Sequence, residues 1–192
     1  MKLLKIIPDK GKYLHRSTLI YEHATEKGED GTLRRQKYEV FSRRPIEKEE
    51  DLNGFVAGVM AIVENGYGEI LISKEFRLGV NKDVYGIPGG MVGKDETAEE
   101  AIKRELREEC GIDEVEVLRV SRPRFTNPAM MPEMTQIAYC RTAGSPDLSV
   151  VRGSSEEIFN TWVSKEALKQ MIEDEDFSAI PAFALLHYVE TM

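Results

Sequence analysis

Between Gly90 and Ile112 the chain reads GMVGKDETAEEAIKRELREECGI, and five of its six glutamates, Glu99, Glu100, Glu105, Glu108 and Glu109, crowd one short stretch. If the stretch is helical, Glu105 and Glu109 share a face, and Glu108, three positions beyond Glu105, lies beside them. Carboxylates stacked on adjoining turns repel unless solvent screens them or a cation sits among them. Hard divalent cations favour such oxygens, and Mg²⁺ in particular combines a few carboxylates with substrate phosphates. Arg104 precedes Glu108 by four positions and offers an internal ion pair. Just upstream, Gly89 and Gly90 form a corner where backbone approaches closely. A carbonyl there, Gly89 first, adds another oxygen. A cation beside a glycine corner points to a site that handles pyrophosphate.

Several elements must position these groups. Thr97 and Glu100 make the capping-box pattern, Gly111 stands at a helix stop, and Ala98, Ala101, Ile102, Leu106 and Cys110 supply an apolar side. Strand patterns run over 17–26 and 34–44, around the Asp30-Gly31 turn, and over 54–64 and 68–77, around NGYG. A short strand over 83–90 leads into the glycine corner. Further strands are predicted over 114–125, 135–143 and 157–164, with TNPAMMPEM as a loop. The chain closes with two helices, KEALKQMIEDED and SAIPAFALLHYVETM. The charged run 47–51 reads as a solvated loop and a subdomain boundary. This order predicts an α/β (α+β) fold: a mixed sheet covered by helices, with residues 1–50 as an N-terminal antiparallel β arm and 51–192 as the main domain.

The spacing inside the acidic stretch is more informative than its charge. Gly90, Glu96, Arg104, Glu105, Leu106, Glu108, Glu109, Gly111 and Ile112 occupy every defined position of G-x5-E-x7-R-E-U-x-E-E-x-G-U, where U is bulky and apolar. The chain thus resembles the Nudix hydrolases, which cleave nucleoside diphosphates linked to another moiety. The resemblance implies an α/β/α sandwich with the box as loop–helix–loop. It also implies Mg²⁺, or Mn²⁺, held by Glu105 and Glu109 with Glu108 assisting, while Gly90, Glu96 and Arg104 brace the box.

Flanking residues are similar to the ADP-ribose pyrophosphatase subgroup. Pro128 lies 16 positions after Ile112 and opens the loop NPAMMPE. In that subgroup the acid at the place of Glu133 acts as catalytic base or metal-linked acid, so the proton acceptor is Glu133 or a box glutamate, Glu108 or Glu109. Arg77, in EFRLGVNKDVYGIPGG, matches an arginine that faces substrate, as Arg44 (or Arg43) does in the arm segment YEVFSRR. The arm of that subgroup joins two copies, so a homodimer is expected. The implied reaction is hydrolysis of ADP-ribose to AMP and ribose 5-phosphate. The altered YGIPGG and NPAMMPE segments leave open another nucleotide sugar, such as GDP-mannose or UDP-glucose, or a dinucleotide. More distant is a non-catalytic module that senses a nucleotide.

The remaining sequence excludes more than it adds. The net charge of −8 and a pI near 5.1 argue against general nucleic-acid binding. The longest apolar run, FVAGVMAIV, is too short to span a bilayer, and the N-terminus lacks a signal-peptide pattern. Cys110 and Cys140 form neither a disulfide framework nor a metal-ligand spacing. These features fit a cytoplasmic protein without a membrane partner. His15, His23 and His187 lie far from the motifs and read as surface or core residues.

Overall fold

The computed structural model describes residues 1–9, 11–143, 148 and 158–191. The expected strand start at Glu157 and helix end at Met192 lie outside them. The chain forms two compact units, Met1–Val56 with Arg124–Met134, and Ala57–Pro123 with Thr135–Met192.

In the first unit, β1 (Lys2–Asp9), β2 (His15–Lys27) and β3 (Leu33–Ser42) make an antiparallel sheet in that order. The Asp30-Gly31 turn is as expected, with Gly31 at φ 77° in the left-handed region that glycine alone enters without cost. β1 was not expected. Pro8 tolerates the position because it closes an edge strand, where no further neighbour needs its missing N–H. Leu19, Val40 and Ile46 form a small core with Leu3, Ile6, Tyr21 and Leu52. The run expected as a loop holds a 3-10 turn, Glu49–Asn53, and Asp51 accepts the Glu47 and Lys48 N–H groups at 2.9 and 3.0 Å. Residues 124–134 are stitched to this sheet. Phe41 N–H donates to the Met130 carbonyl at 2.8 Å, and the Tyr38 hydroxyl donates to Ala129.

The second unit is built on a sheet of order β11 (Ile158–Val163), β5 (Ile70–Arg77), β4 (Phe55–Glu64), β10 (Glu133–Arg141), β8 (Glu116–Val120). β4 and β10 enter it from the first unit. β6 (Lys82–Gly86) pairs with β5, β7 (Gly89–Met91) with β4, and β9 (Arg124–Phe125) with β10. β11–β5, β5–β4 and β10–β8 are antiparallel. β4 and β10 run parallel, because their contacts at 55/132, 58/135 and 64/142 ascend together. The sheet is therefore mixed.

Alternation decides which face each residue serves. Val59, Ala61, Val63, Leu71, Ala138 and Cys140 pack against α1 (Ala98–Cys110) through Ala101, Ile102 and Leu106. Their neighbours Ile62, Ile70 and Ile72 face α2 (Lys165–Asp174) and α3 (Ala179–Thr191) through Leu168, Leu185 and Tyr188. The result is the expected helix–sheet–helix sandwich. Cys110 and Cys140 are buried and unpaired, and burial pushes both thiols up to about 12. Among the described residues no helix is long and apolar enough to cross a membrane.

Candidate functional site

The acidic helix is defined at both ends by its own residues. The Thr97 hydroxyl accepts the Glu100 N–H at 3.2 Å, and the Glu100 carboxylate accepts the Thr97 N–H at 2.8 Å. The Thr97 N–H, and then the Thr97 hydroxyl, which donates to the same carboxylate at 2.7 Å, hold the Glu100 carboxyl below its usual range. At the other end Gly111 adopts φ 69°, ψ 15°, and its N–H reaches the Leu106 carbonyl.

Arg104 organises the carboxylates. Its Nε and Nη2 grip Glu96 at 2.9 and 3.0 Å, a two-pronged pairing. Its Nη1 donates to Glu105 at 2.8 Å and to Glu108 at 3.4 Å, and Nη2 also donates to the Met91 carbonyl at 3.0 Å. Gly93 N–H adds a bond to Glu96 at 2.9 Å. The Arg104 fork and then this N–H hold the Glu96 carboxyl below its usual range. Glu96 in turn pushes the Arg104 guanidinium above its own, with Glu105 adding to the effect. Glu96 and Arg104 thus have the bracing geometry the resemblance implied.

Glu105 is only 9% exposed, although it is an acid. It falls in the buried stripe beside Ala101, Ile102 and Leu106. Its carboxylate lies over the α-carbon of Gly90, where an added Cβ would sit 2.0 Å from Oε1. Gly90 is therefore a seat for a carboxylate, and its partner in β4 is Val59. Gly89 pairs with Met60, and a Cβ there would meet the Val59 carbonyl at 2.4 Å. Glu108 is half exposed. The backbone carbonyl of Glu109 accepts a hydrogen bond from Asn160 Nδ2 at 2.8 Å.

The donor set consists of carboxylate oxygens on one turn. Among the described residues no three His, Cys, Asp or Glu side chains form a ready-made metal cage. A hard cation of the Mg²⁺ type needs no such cage, because it keeps several waters and takes one or two carboxylates together with substrate phosphates. The residues present fit that group.

The other candidates have partners of their own. Arg77 pairs with Glu75 at 2.7 Å and lines a cavity of about 900 Å³ with Phe76, Leu78, Val80, Lys82 and Phe177; no box residue lines it. Glu133, Pro128 and Arg44 belong to the first unit. Glu133 is the first residue of β10 rather than a loop acid, and it is 7% exposed. Its carboxylate accepts the Arg43 N–H at 2.6 Å and lies 3.9 Å from Arg43 Nε. Arg43 thus meets an acid of its own chain. The Arg44 guanidinium stacks over Phe55 at 4.1 Å, and Pro128 is exposed. Asn160 and Ser73 went unremarked in the sequence, although each is a polar residue inside an apolar strand.

Comparison with known proteins agrees with the box. Residues 54–183 match the family described as NUDIX domain. An RNA pyrophosphohydrolase of Pseudomonas putida is 38% identical over 74 residues, covering 38% of this chain and 44% of that one. One from Stutzerimonas stutzeri is 37% identical over 67 residues, covering 35% and 40%. This chain thus spans less than half the length of the curated relatives it matches. A solved structure described as an ADP compounds hydrolase has the same fold, with a TM-score of 0.71 over 98% of this chain and 92% of that one, at 16% identity.

Proposed function

The chain belongs to the Nudix family, and from that premise we propose that it hydrolyses the pyrophosphate bond of a nucleoside diphosphate derivative, converting ADP-ribose to AMP and ribose 5-phosphate. The observation that carries the chemistry is the buried Glu105 carboxylate, seated on Gly90 and tied by Arg104 into one array with Glu96 and Glu108. Family members generally use divalent metal ions, and here Glu105 and Glu109 would hold Mg²⁺ or Mn²⁺, with Glu108 and the Gly89 carbonyl assisting. When bound, such a cation neutralises charge on the phosphate oxygens and makes a bound water more acidic.

The chain's own groups do the rest. Glu96 and Arg104 fix the helix against its loop, so the carboxylates need not reorganise. Glu133 takes a proton from the attacking water. The water oxygen bonds to one phosphorus, the bridging P–O bond breaks, and the bridging oxygen leaves on the other phosphate. Arg77 and Arg44 bind the substrate, and Pro128 shapes the segment that carries Glu133. The preference for ADP-ribose is supported by the placement of Pro128 and Glu133 and by the fold shared with the ADP compounds hydrolase.

The arm over 1–50 joins two copies of the chain, a reading supported by the exposed Ile7, Tyr13 and Leu14. The main domain is 51–192. The two buried thiols suit a reducing cytoplasm.

A second reading, removal of pyrophosphate from an RNA 5′ end, is favoured by the names of the sequence relatives and opposed by the net charge of −8. A panel with Mg²⁺, scored for released monophosphate or pyrophosphate, separates them. It comprises ADP-ribose, GDP-mannose, UDP-glucose, a dinucleotide and a 5′-triphosphorylated RNA. ADP-ribose is expected to give the highest kcat/KM; fastest turnover of the RNA would overturn the substrate assignment.

A further inference from the structure

Asn160 stands on β11, opposite Ser73 of β5 in the strand register. Both interrupt apolar runs, ILIS and IFNTWV. Ser73 is only 8% exposed. A buried hydroxyl or amide on a face packed against a helix is unfavourable unless it is hydrogen-bonded. Here both are bonded, and the bonds form a directed chain. The Ser73 hydroxyl donates to Asn160 Oδ1 at 2.7 Å, and Asn160 Nδ2 donates to the Glu109 carbonyl at 2.8 Å.

The acceptor is significant. The last carbonyls of a helix have no partner within it, and Glu109 is in the final turn of α1. At its N-terminus α1 is fixed by Thr97 and Glu100, and at its middle by Arg104. The end bearing Glu109 is tied to the sheet by the Asn160 amide. The amide can serve only one way round, because the carbonyl accepts and cannot donate; the Ser73 hydroxyl, able to donate or accept, donates to the amide oxygen that this orientation presents.

We propose that Asn160, held by its bond to Ser73, is a positioning residue for Glu109, setting the backbone from which its carboxylate reaches a divalent cation. This rests on the reading of Glu109 as a cation ligand. Groups that orient ligands in this way are felt in cation affinity even though they touch no cation.

The test is Mn²⁺ binding to the substrate-free protein, followed by the EPR signal of free Mn²⁺, with a thermal melt for each variant. N160A removes the amide, N160D keeps its shape but replaces the donor with an anionic oxygen that repels the Glu109 carbonyl, S73A removes only the hydroxyl bonded to the amide oxygen, and E109Q removes the ligand charge. N160A and N160D are expected to weaken Mn²⁺ binding by roughly 10-fold or more, and S73A by less. E109Q should be weaker than all of them. A folded N160A with wild-type Mn²⁺ affinity, beside an E109Q that has lost it, overturns the positioning role alone. An E109Q that binds Mn²⁺ like wild type overturns the cation reading and this inference with it. Should N160A and N160D fail to fold, S73A decides, and wild-type affinity there overturns the proposal.

Discussion

The acids of the box and the acid at Glu133 are held in opposite ways. Arg104 reaches Glu96 eight residues away and Met91 thirteen away, and the Thr97–Glu100 cap spans three. Glu133 is held by Arg43, 90 residues away, and the segment before it by Tyr38, 91 from Ala129. Closing a short loop costs less chain entropy than closing a long one. The cap and the Arg104 pairings of the box therefore form with its loop and helix, the Asn160 tie at Glu109 being its long-range exception, whereas the setting of Glu133 depends on the N-terminal sheet being in place. The residues proposed for catalysis thus fall into a largely local group and one, Glu133, whose ties are long-range.

The sharpest way to break that contrast is to remove the charge of Glu133. E133Q keeps an oxygen for the Arg43 N–H, so the fold should hold, while loss of a general base should lower kcat by about 10²-fold or more with little change in KM. An unaltered kcat would make Glu133 a clamp for its segment and return proton transfer to the box. G90A probes the local group. Gly90 needs no unusual backbone angle, and the atoms an added Cβ would meet are the flexible end of Glu105. The protein should fold with a near-native melt while the displaced carboxylate costs up to about 10²-fold in kcat. Full activity in G90A would show that the seat for Glu105 is unimportant.

The smallest effect concerns Glu96. Its folded-state pKa lies below the usual 4.5, so its contribution to stability is complete above 4.5 and is lost as pH falls through that value and lower. E96Q should melt modestly below wild type near neutral pH, and the gap should close well below pH 4.5. A gap that persists in acid would place the effect outside the Arg104 pairing.

The same contrast explains what could be read from the sequence. The box and its caps are local, so spacing exposed them, and the resemblance that this spacing carries implied the bracing pair; strand patterns located β4, β5 and β10 but not their faces. The burial of Glu105 was also within reach, since it follows Ile102 and precedes Leu106 in the buried stripe. Three features were not legible. β1 carries too little alternation to declare itself. Residues 124–134 join the first unit through long-range bonds, each with a backbone group on at least one side, whose partners no local spacing reveals. The Ser73–Asn160–Glu109 chain needs two strands and a helix to be placed first.

The most direct test of the central claim is the turnover of E109Q against wild type, with Mg²⁺ and ADP-ribose and with matched melts. The substitution keeps size and removes one ligand charge. Loss of several kcal/mol of charge stabilisation corresponds to a fall in kcat of about 10³-fold, and that is the predicted result. A folded E109Q whose kcat stays within about threefold of wild type, well under 1 kcal/mol, would contradict the account.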